Sequence, residues 1–178
     1  RAFADDLDDA TGDVIAANLI LGARRRGSGL AAVLESLAES VAETMWARDR
    51  ATNALGMKIE AVRPGYARIS MTVRGDMVNS HHICHGGLIF TLADSAFAYA
   101  CNSYNKNTVA SACTIDFLAP GREGDTLDAE AVEQSLAGRT GVYDVTVRDS
   151  AGKTIALFRG KSYRISGEVI AGLAAEKS

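Results

Sequence analysis

The sequence predicts an α+β domain in which one apolar helix is wrapped by an antiparallel sheet. Three observations lead there: a helical run of apolar residues from about 87 to 101, two strand-like segments before it, and four after it, all separated by turn signals. A chain of 178 residues, 47% hydrophobic and 23% charged, can bury one sizeable core but hardly two.

The elements follow in order. From about Leu30 to Arg48, Leu34, Leu37, Ala38, Val41, Met45 and Trp46 recur at helical spacing and predict a leading helix. Residues 55–62 and 66–73 read as strands joined at Pro64-Gly65, the first with imperfect alternation. Ile89, Leu92, Ala93, Ala96, Phe97 and Ala100 then mark one apolar face of a helix reaching about Cys101. After it, residues 108–118, 125–136, 139–149 and 153–165 read as four strands, divided by Pro120-Gly121, Ala137-Gly138 and Ser150-Ala151-Gly152.

Residues 1–30 stand apart. They carry an acidic stretch, Asp5-Asp6-Leu7-Asp8-Asp9, a short apolar run and the cluster Arg24-Arg25-Arg26, with Gly27-Ser28-Gly29 reading as a linker. The acidic residues argue against a transit peptide, and the apolar run precedes the basic cluster, the reverse of a secretory signal. The expectation is an N-terminal extension, poorly ordered or left over from expression. A domain over residues 31–170 and a C-terminal tail over 171–178 complete the division.

Composition excludes several function classes. The longest apolar runs fall short of the roughly 18 to 20 residues of a membrane span, so no membrane insertion is expected. There is no basic face with interleaved aromatics, which argues against nucleic acid as a partner. Three cysteines, Cys84, Cys101 and Cys113, are an odd number in apolar surroundings and favour reduced thiols in the cytoplasm.

The segment His85-Gly86-Gly87 through Asp94 carries the chemistry. Asp94 lies outside the apolar stripe, roughly on the line of Gly87 two turns earlier at about 100° per residue. The first N–H groups of a helix have no intrahelical acceptor and can polarise a carbonyl oxygen, and glycine lets a substrate come close. Fixed donors plus a carboxylate are what acyl transfer requires. The plainer alternative is a solvated Asp on a polar helix face beside glycines that serve local geometry.

The flanks decide between these. Met77-Val78-Asn79-Ser80-His81-His82-Ile83-Cys84-His85-Gly86-Gly87, then Asp94-Ser95-Ala96-Phe97-Ala98-Tyr99-Ala100-Cys101-Asn102-Ser103, and later Ala110 to Leu118 (ASACTIDFL) closely resemble the hotdog-fold acyl-CoA thioesterases of phenylacetic acid degradation. The likeness runs from about residue 36 to about residue 170, including Gly138 to Val145 and Ala156 to Ile165. It implies a hotdog fold over the 31–170 domain and hydrolysis of phenylacetyl-CoA and hydroxylated phenylacetyl-CoA in aromatic catabolism. Leu88 and Ser95 depart from the family pattern, where a polar residue and a threonine stand.

By the resemblance, Asp94 corresponds to the catalytic carboxylate, acting as general base or as nucleophile. Gly86 corresponds to the glycine whose N–H polarises the thioester carbonyl, and His85 and Asn79 to polar groups that orient substrate or water. For coenzyme A the resemblance points to Arg122 and to Arg139 with Thr140, and further to Lys161 and Arg164; a net charge of −3 means any attraction must be local. Ser111 sits near a position where related enzymes place a hydroxyl, at an uncertain offset. The family also implies a substrate bound across a dimer interface, a homotetramer built from two dimers, and no cofactor, coenzyme A being part of the substrate.

Other readings of the same residues are a zinc site at His81, His82, Cys84 and His85, poorly spaced for four ligands, and a nucleophilic Cys84 beside His85. No metal is expected. At the level of function the alternatives are a hotdog dehydratase or hydratase and a non-catalytic acyl-CoA-binding module.

Overall fold

The computed structural model describes residues 28–172. The chain runs through α1 (Ser28–Trp46), a short α2 (Arg50–Ala54), β1 (Lys58–Arg63), β2 (Tyr66–Thr72), a 3-10 turn (Gly75–Met77), α3 (Gly86–Asn102), β3 (Thr108–Phe117), β4 (Thr126–Ala137), β5 (Thr140–Asp149) and β6 (Thr154–Arg164). The six strands form one sheet in the order β1-β2-β4-β5-β6-β3, with every neighbouring pair antiparallel. The predicted α+β architecture is the observed one.

Apolar periodicity explains how α3 sits. Ile89, Leu92, Ala93, Ala96, Phe97 and Ala100 are buried against Ala67, Ile69 and Met71 of β2, Ala129 and Ala131 of β4, Val145 and Val147 of β5, and Phe158 of β6. Alanines on both sides of this contact keep helix and sheet close. Gly160 on β6 does the same at one point, since a Cβ there would lie 2.9 Å from ring atoms of buried Phe97.

Three local expectations change. The strand expected at 55–62 begins only at Lys58, because residues 50–54 wind into α2 and Gly56, at φ 68°, ends that turn. Asp49 explains the extra helix: its carboxylate accepts the Thr52 N–H at 3.0 Å as an N-cap and the Tyr99 hydroxyl at 3.3 Å, tying α2 to α3. The imperfect alternation of β1 is a bulge between Ile59 and Ala61. Ser28 and Gly29 open α1 rather than form a linker. The remainder of the 1–30 extension, and the 171–178 tail beyond residue 172, lie outside the described residues.

Strand β3 is an edge. It pairs with β6 on one side only, and most of its residues are exposed, with Val109 46% and Phe117 51% accessible. A long apolar edge with free N–H and C=O groups is an open pairing surface. Among the described residues, no helix is long and apolar enough to cross a membrane.

Substituting Gly160 tests the helix-to-sheet contact. Gly160→Ala forces a methyl into the Phe97 ring and should cost about 1–3 kcal/mol. Urea unfolding reads it as a lower midpoint at unchanged slope.

Candidate active site

The loop before α3 is shaped by its own polar groups. Asn79 Oδ1 accepts the His81 N–H at 2.9 Å and the Ile83 N–H at 3.4 Å, and the Asn79 N–H donates to Ile83 O at 2.8 Å. His82 takes a positive φ of 56° inside this turn. Asn79 thus holds the loop through its oxygen, and its amide nitrogen enters none of the hydrogen bonds among the described residues. Cys84 N–H donates to Gly121 O at 2.8 Å and His85 N–H to Met77 O at 2.9 Å, which fix where α3 begins.

His85 is the N-cap of α3. Its Nδ1 accepts the Gly87 N–H at 3.1 Å, so the neutral ring carries its proton on Nε2, directed away from the helix. The N–H groups of Leu88 and Ile89 turn back to His85 O at 2.8 and 3.4 Å. Gly86 alone of this first turn has an N–H that joins none of the hydrogen bonds among the described residues. A side chain there would press on the Phe117 ring, since a Cβ would lie 3.2 Å from Phe117 Cζ.

Asp94 lies two turns further along. It is half-buried, not solvated on a polar face as helix geometry alone allowed, because β3 crosses beside it and Cys113 Sγ donates to its Oδ1 at 4.0 Å. Burial pushes the Asp94 carboxyl above its ordinary value. The Cys113 thiol is raised as well, by burial and then by the Asp94 charge, which favours the neutral thiol.

Gly86 and Asp94 lie eight residues apart on α3, which is about 12 Å along the axis at 1.5 Å per residue. One thioester carbonyl cannot touch both in a single protomer. Asp94, His85 and Gly86 lie outside the groove between α1 and β1. That groove, about 500 Å³, is walled by Glu39, Trp46, Lys58 and Glu60 at the opposite edge of the sheet. The chemical groups stand instead along the open β3 edge.

The basic candidates divide between the two ends of β3. Arg122 extends an exposed side chain from the turn that anchors Cys84, near the start of α3, and its own N–H donates to Asp125 Oδ2 at 2.7 Å. Arg139 and Thr140 occupy the β4–β5 hairpin, where Arg139 Nε donates to Arg164 O at 3.0 Å over the Tyr163 ring, and Thr140 Oγ1 donates to Ala137 O. Tyr163 pairs with Val109 at the other end of β3. Ser111 is the extra residue of a bulge in β3, its hydroxyl donating to Lys161 O at 3.0 Å. Cys113, which sequence reasoning left among the core thiols, is the β3 side chain that meets Asp94.

Cys84 is buried, burial raises its pKa, and Sγ faces its neighbour's carbonyl at 3.8 Å rather than the His85 ring. Among the described residues, no group of three His, Cys, Asp or Glu side chains is arranged to hold a metal ion.

The chain is similar to several known proteins. Residues 81–156 match the family model described as the thioesterase superfamily. An acyl-coenzyme A thioesterase of Escherichia coli K12, PaaI, is 52% identical over 128 residues, covering 72% of this chain and 91% of the relative. A putative esterase of Archaeoglobus fulgidus is 38% identical over 130 residues, covering 73% of this chain and 84% of the relative. Among solved structures, that of E. coli PaaI superposes with a TM-score of 0.75 at 50% identity, covering 76% of this chain and 98% of that one. A Streptococcus mutans protein solved with acetyl-CoA bound gives 0.60 at 25% identity, covering 63% and 90%.

Two sets of substitutions isolate the groups of this site. An acid whose folded pKa exceeds its unfolded value holds its proton more tightly when folded, so its charge costs stability above the folded pKa, and that cost vanishes below the unfolded one. Asp94→Asn should therefore keep or gain thermal stability at neutral pH while losing about 10²- to 10⁴-fold in turnover. In the wild type, kcat/KM should fall with acidification at a pH above that of an ordinary aspartate. For the donor, Gly86→Ala and Gly86→Pro add the same Cβ, but only proline removes the N–H. His85 has the extended backbone, φ −62° and ψ 129°, that a following proline requires, and proline suits the first helical position. Proline should cost about 10²- to 10³-fold more in turnover than alanine, the usual scale for one oxyanion donor.

Proposed function

The chain belongs to the thioesterase superfamily as a homologue of the acyl-CoA thioesterase PaaI, and on that premise we propose that it hydrolyses phenylacetyl-CoA and hydroxylated phenylacetyl-CoA to the free acid and coenzyme A in aromatic catabolism. The observation that carries the reading is the pairing on α3 of an unclaimed Gly86 N–H with a half-buried carboxylate at Asp94. The N–H polarises the thioester oxygen and stabilises the oxyanion as the carbonyl carbon becomes tetrahedral. A desolvated carboxylate is a stronger base than a solvated one, and Asp94 takes a proton from the attacking water. His85, with Nε2–H directed outward, and the Asn79 amide nitrogen orient substrate and water. Coenzyme A leaves as the thiol, with no cofactor and no metal taking part.

The pair of groups serving one carbonyl belongs to two protomers. Antiparallel pairing of β3 with the β3 of a second copy would continue the sheet and set the Phe117 end of one strand against the Thr108 end of the other. The helix start of one subunit then approaches the Asp94 side of its partner. The same pairing brings Arg122 of one subunit toward Arg139 and Thr140 of the other, so the three together receive the phosphate-bearing end of coenzyme A. Two such dimers make a homotetramer, for which exposed Val132 and Leu157, on the sheet face away from α3, offer apolar area. A relative solved with acetyl-CoA bound supports a coenzyme A thioester as the ligand class. The reading includes a cytoplasmic setting, in keeping with three free thiols.

Release of free coenzyme A from phenylacetyl, hydroxyphenylacetyl, benzoyl, octanoyl and acetyl thioesters, by wild type and Asp94→Ala side by side, tests this. The aryl-acetyl thioesters should turn over fastest, and the variant should lose nearly all activity while remaining folded and oligomeric. Absence of turnover on every thioester would favour a binding module or a dehydratase instead. In a single turnover in oxygen-18 water the label should enter the acid product; label in Asp94 would assign it as nucleophile. Truncating Arg139 should raise KM much more than it lowers kcat.

A further inference from the structure

Phe117 is an aromatic side chain without an assigned task. It ends β3 with 51% of its surface accessible, and its ring lies against the start of α3, 3.2 to 3.6 Å from where a Cβ on Gly86 would stand. The neighbouring rings are committed elsewhere: Phe90 meets Phe158 edge-on at 5.4 Å between centroids, and Phe97 packs on Tyr143 and Phe158. Phe117 enters none of these pairs, and about half of its surface is open.

Its position relative to the donor gives that open surface a use. A carbonyl oxygen accepting from the Gly86 N–H sits about 2.9 Å from the nitrogen. That oxygen and the Phe117 ring would then both border Gly86 at the start of α3. An aromatic side chain therefore stands beside the donor that would hold the thioester oxygen.

We propose that Phe117 is a specificity-determining residue, an aromatic wall beside the Gly86 donor that favours acyl groups bearing an aryl ring one carbon from the thioester. The proposal rests on the thioesterase reading above. It assigns the aryl preference to one side chain, since offset or edge-to-face ring contact adds stabilisation beyond the area buried.

The test compares wild type, Phe117→Leu and Phe117→Tyr on phenylacetyl-CoA and acetyl-CoA, with oligomeric state followed by size exclusion. Leucine keeps an apolar side chain on the edge strand but removes the ring, so the phenylacetyl-to-acetyl ratio of kcat/KM should fall about fivefold, the scale of one aromatic pair. Tyrosine keeps the ring and should keep the ratio. Both substrates are read on the same preparation, so a reduced active fraction cancels from the ratio. An unchanged ratio with leucine, with or without loss of oligomer, overturns the proposal and leaves the thioesterase reading intact. Equal losses on both substrates overturn it likewise, because they put Phe117 against the pantetheine arm or the partner subunit. Wild type hydrolysing neither thioester contradicts the underlying reading itself.

Discussion

Every α-helix begins with N–H groups that its own carbonyls cannot reach, and what this chain does with those of α3 governs the rest of the structure. The His85 ring takes the Gly87 N–H, and the His85 carbonyl takes those of Leu88 and Ile89. One donor is left over, at Gly86, beside a glycine surface that a ligand can approach. Keeping that donor in place requires the helix to be immobile. The buried alanines and Phe97 of α3 wedged on the sheet, and the Asp49 link to Tyr99, supply that rigidity.

The same helix imposes a distance. Two turns separate the donor from Asp94, too far for both to act on one carbonyl, and the carboxylate is desolvated by an edge strand whose outer side is open. An incomplete site and an unpaired edge are two consequences of one arrangement, and the proposed pairing with a second copy of the chain would resolve both. In that proposed dimer, sheet pairing would satisfy the edge, and rotation about a two-fold axis would bring each donor toward the opposite carboxylate. The division of Arg122 and Arg139 between the two ends of β3 follows the same logic.

Much of this was legible in residue patterns because the patterns are local. The α3 stripe, the Pro64-Gly65 and Pro120-Gly121 turns and the four closing strands emerged within a few residues of their observed bounds. The α2 turn escaped because five residues carry no periodicity, and its cap, Asp49, is held partly by Tyr99 fifty positions away. The site divided in the same way. His85, Gly86 and Asp94 stood out through spacing and resemblance, whereas the burial of Asp94 depends on β3 and the Cys113 contact, which no local signal encodes. Likewise, the Asn79 side chain was expected to face a ligand, yet half its capacity goes to the loop it stands in. The contact of the Phe117 ring with Gly86 depends on how β3 lies against the start of α3.

Co-assembling Asp94→Asn subunits with Gly86→Pro subunits tests the two-protomer site most directly. In a hybrid dimer one site receives both substitutions and the other receives neither. The account predicts that mixtures of two inactive parents recover coenzyme A release approaching half the wild-type rate per hybrid dimer. If hybrids are demonstrated by mass and remain as inactive as their parents, donor and carboxylate act within one chain, and the shared site is contradicted.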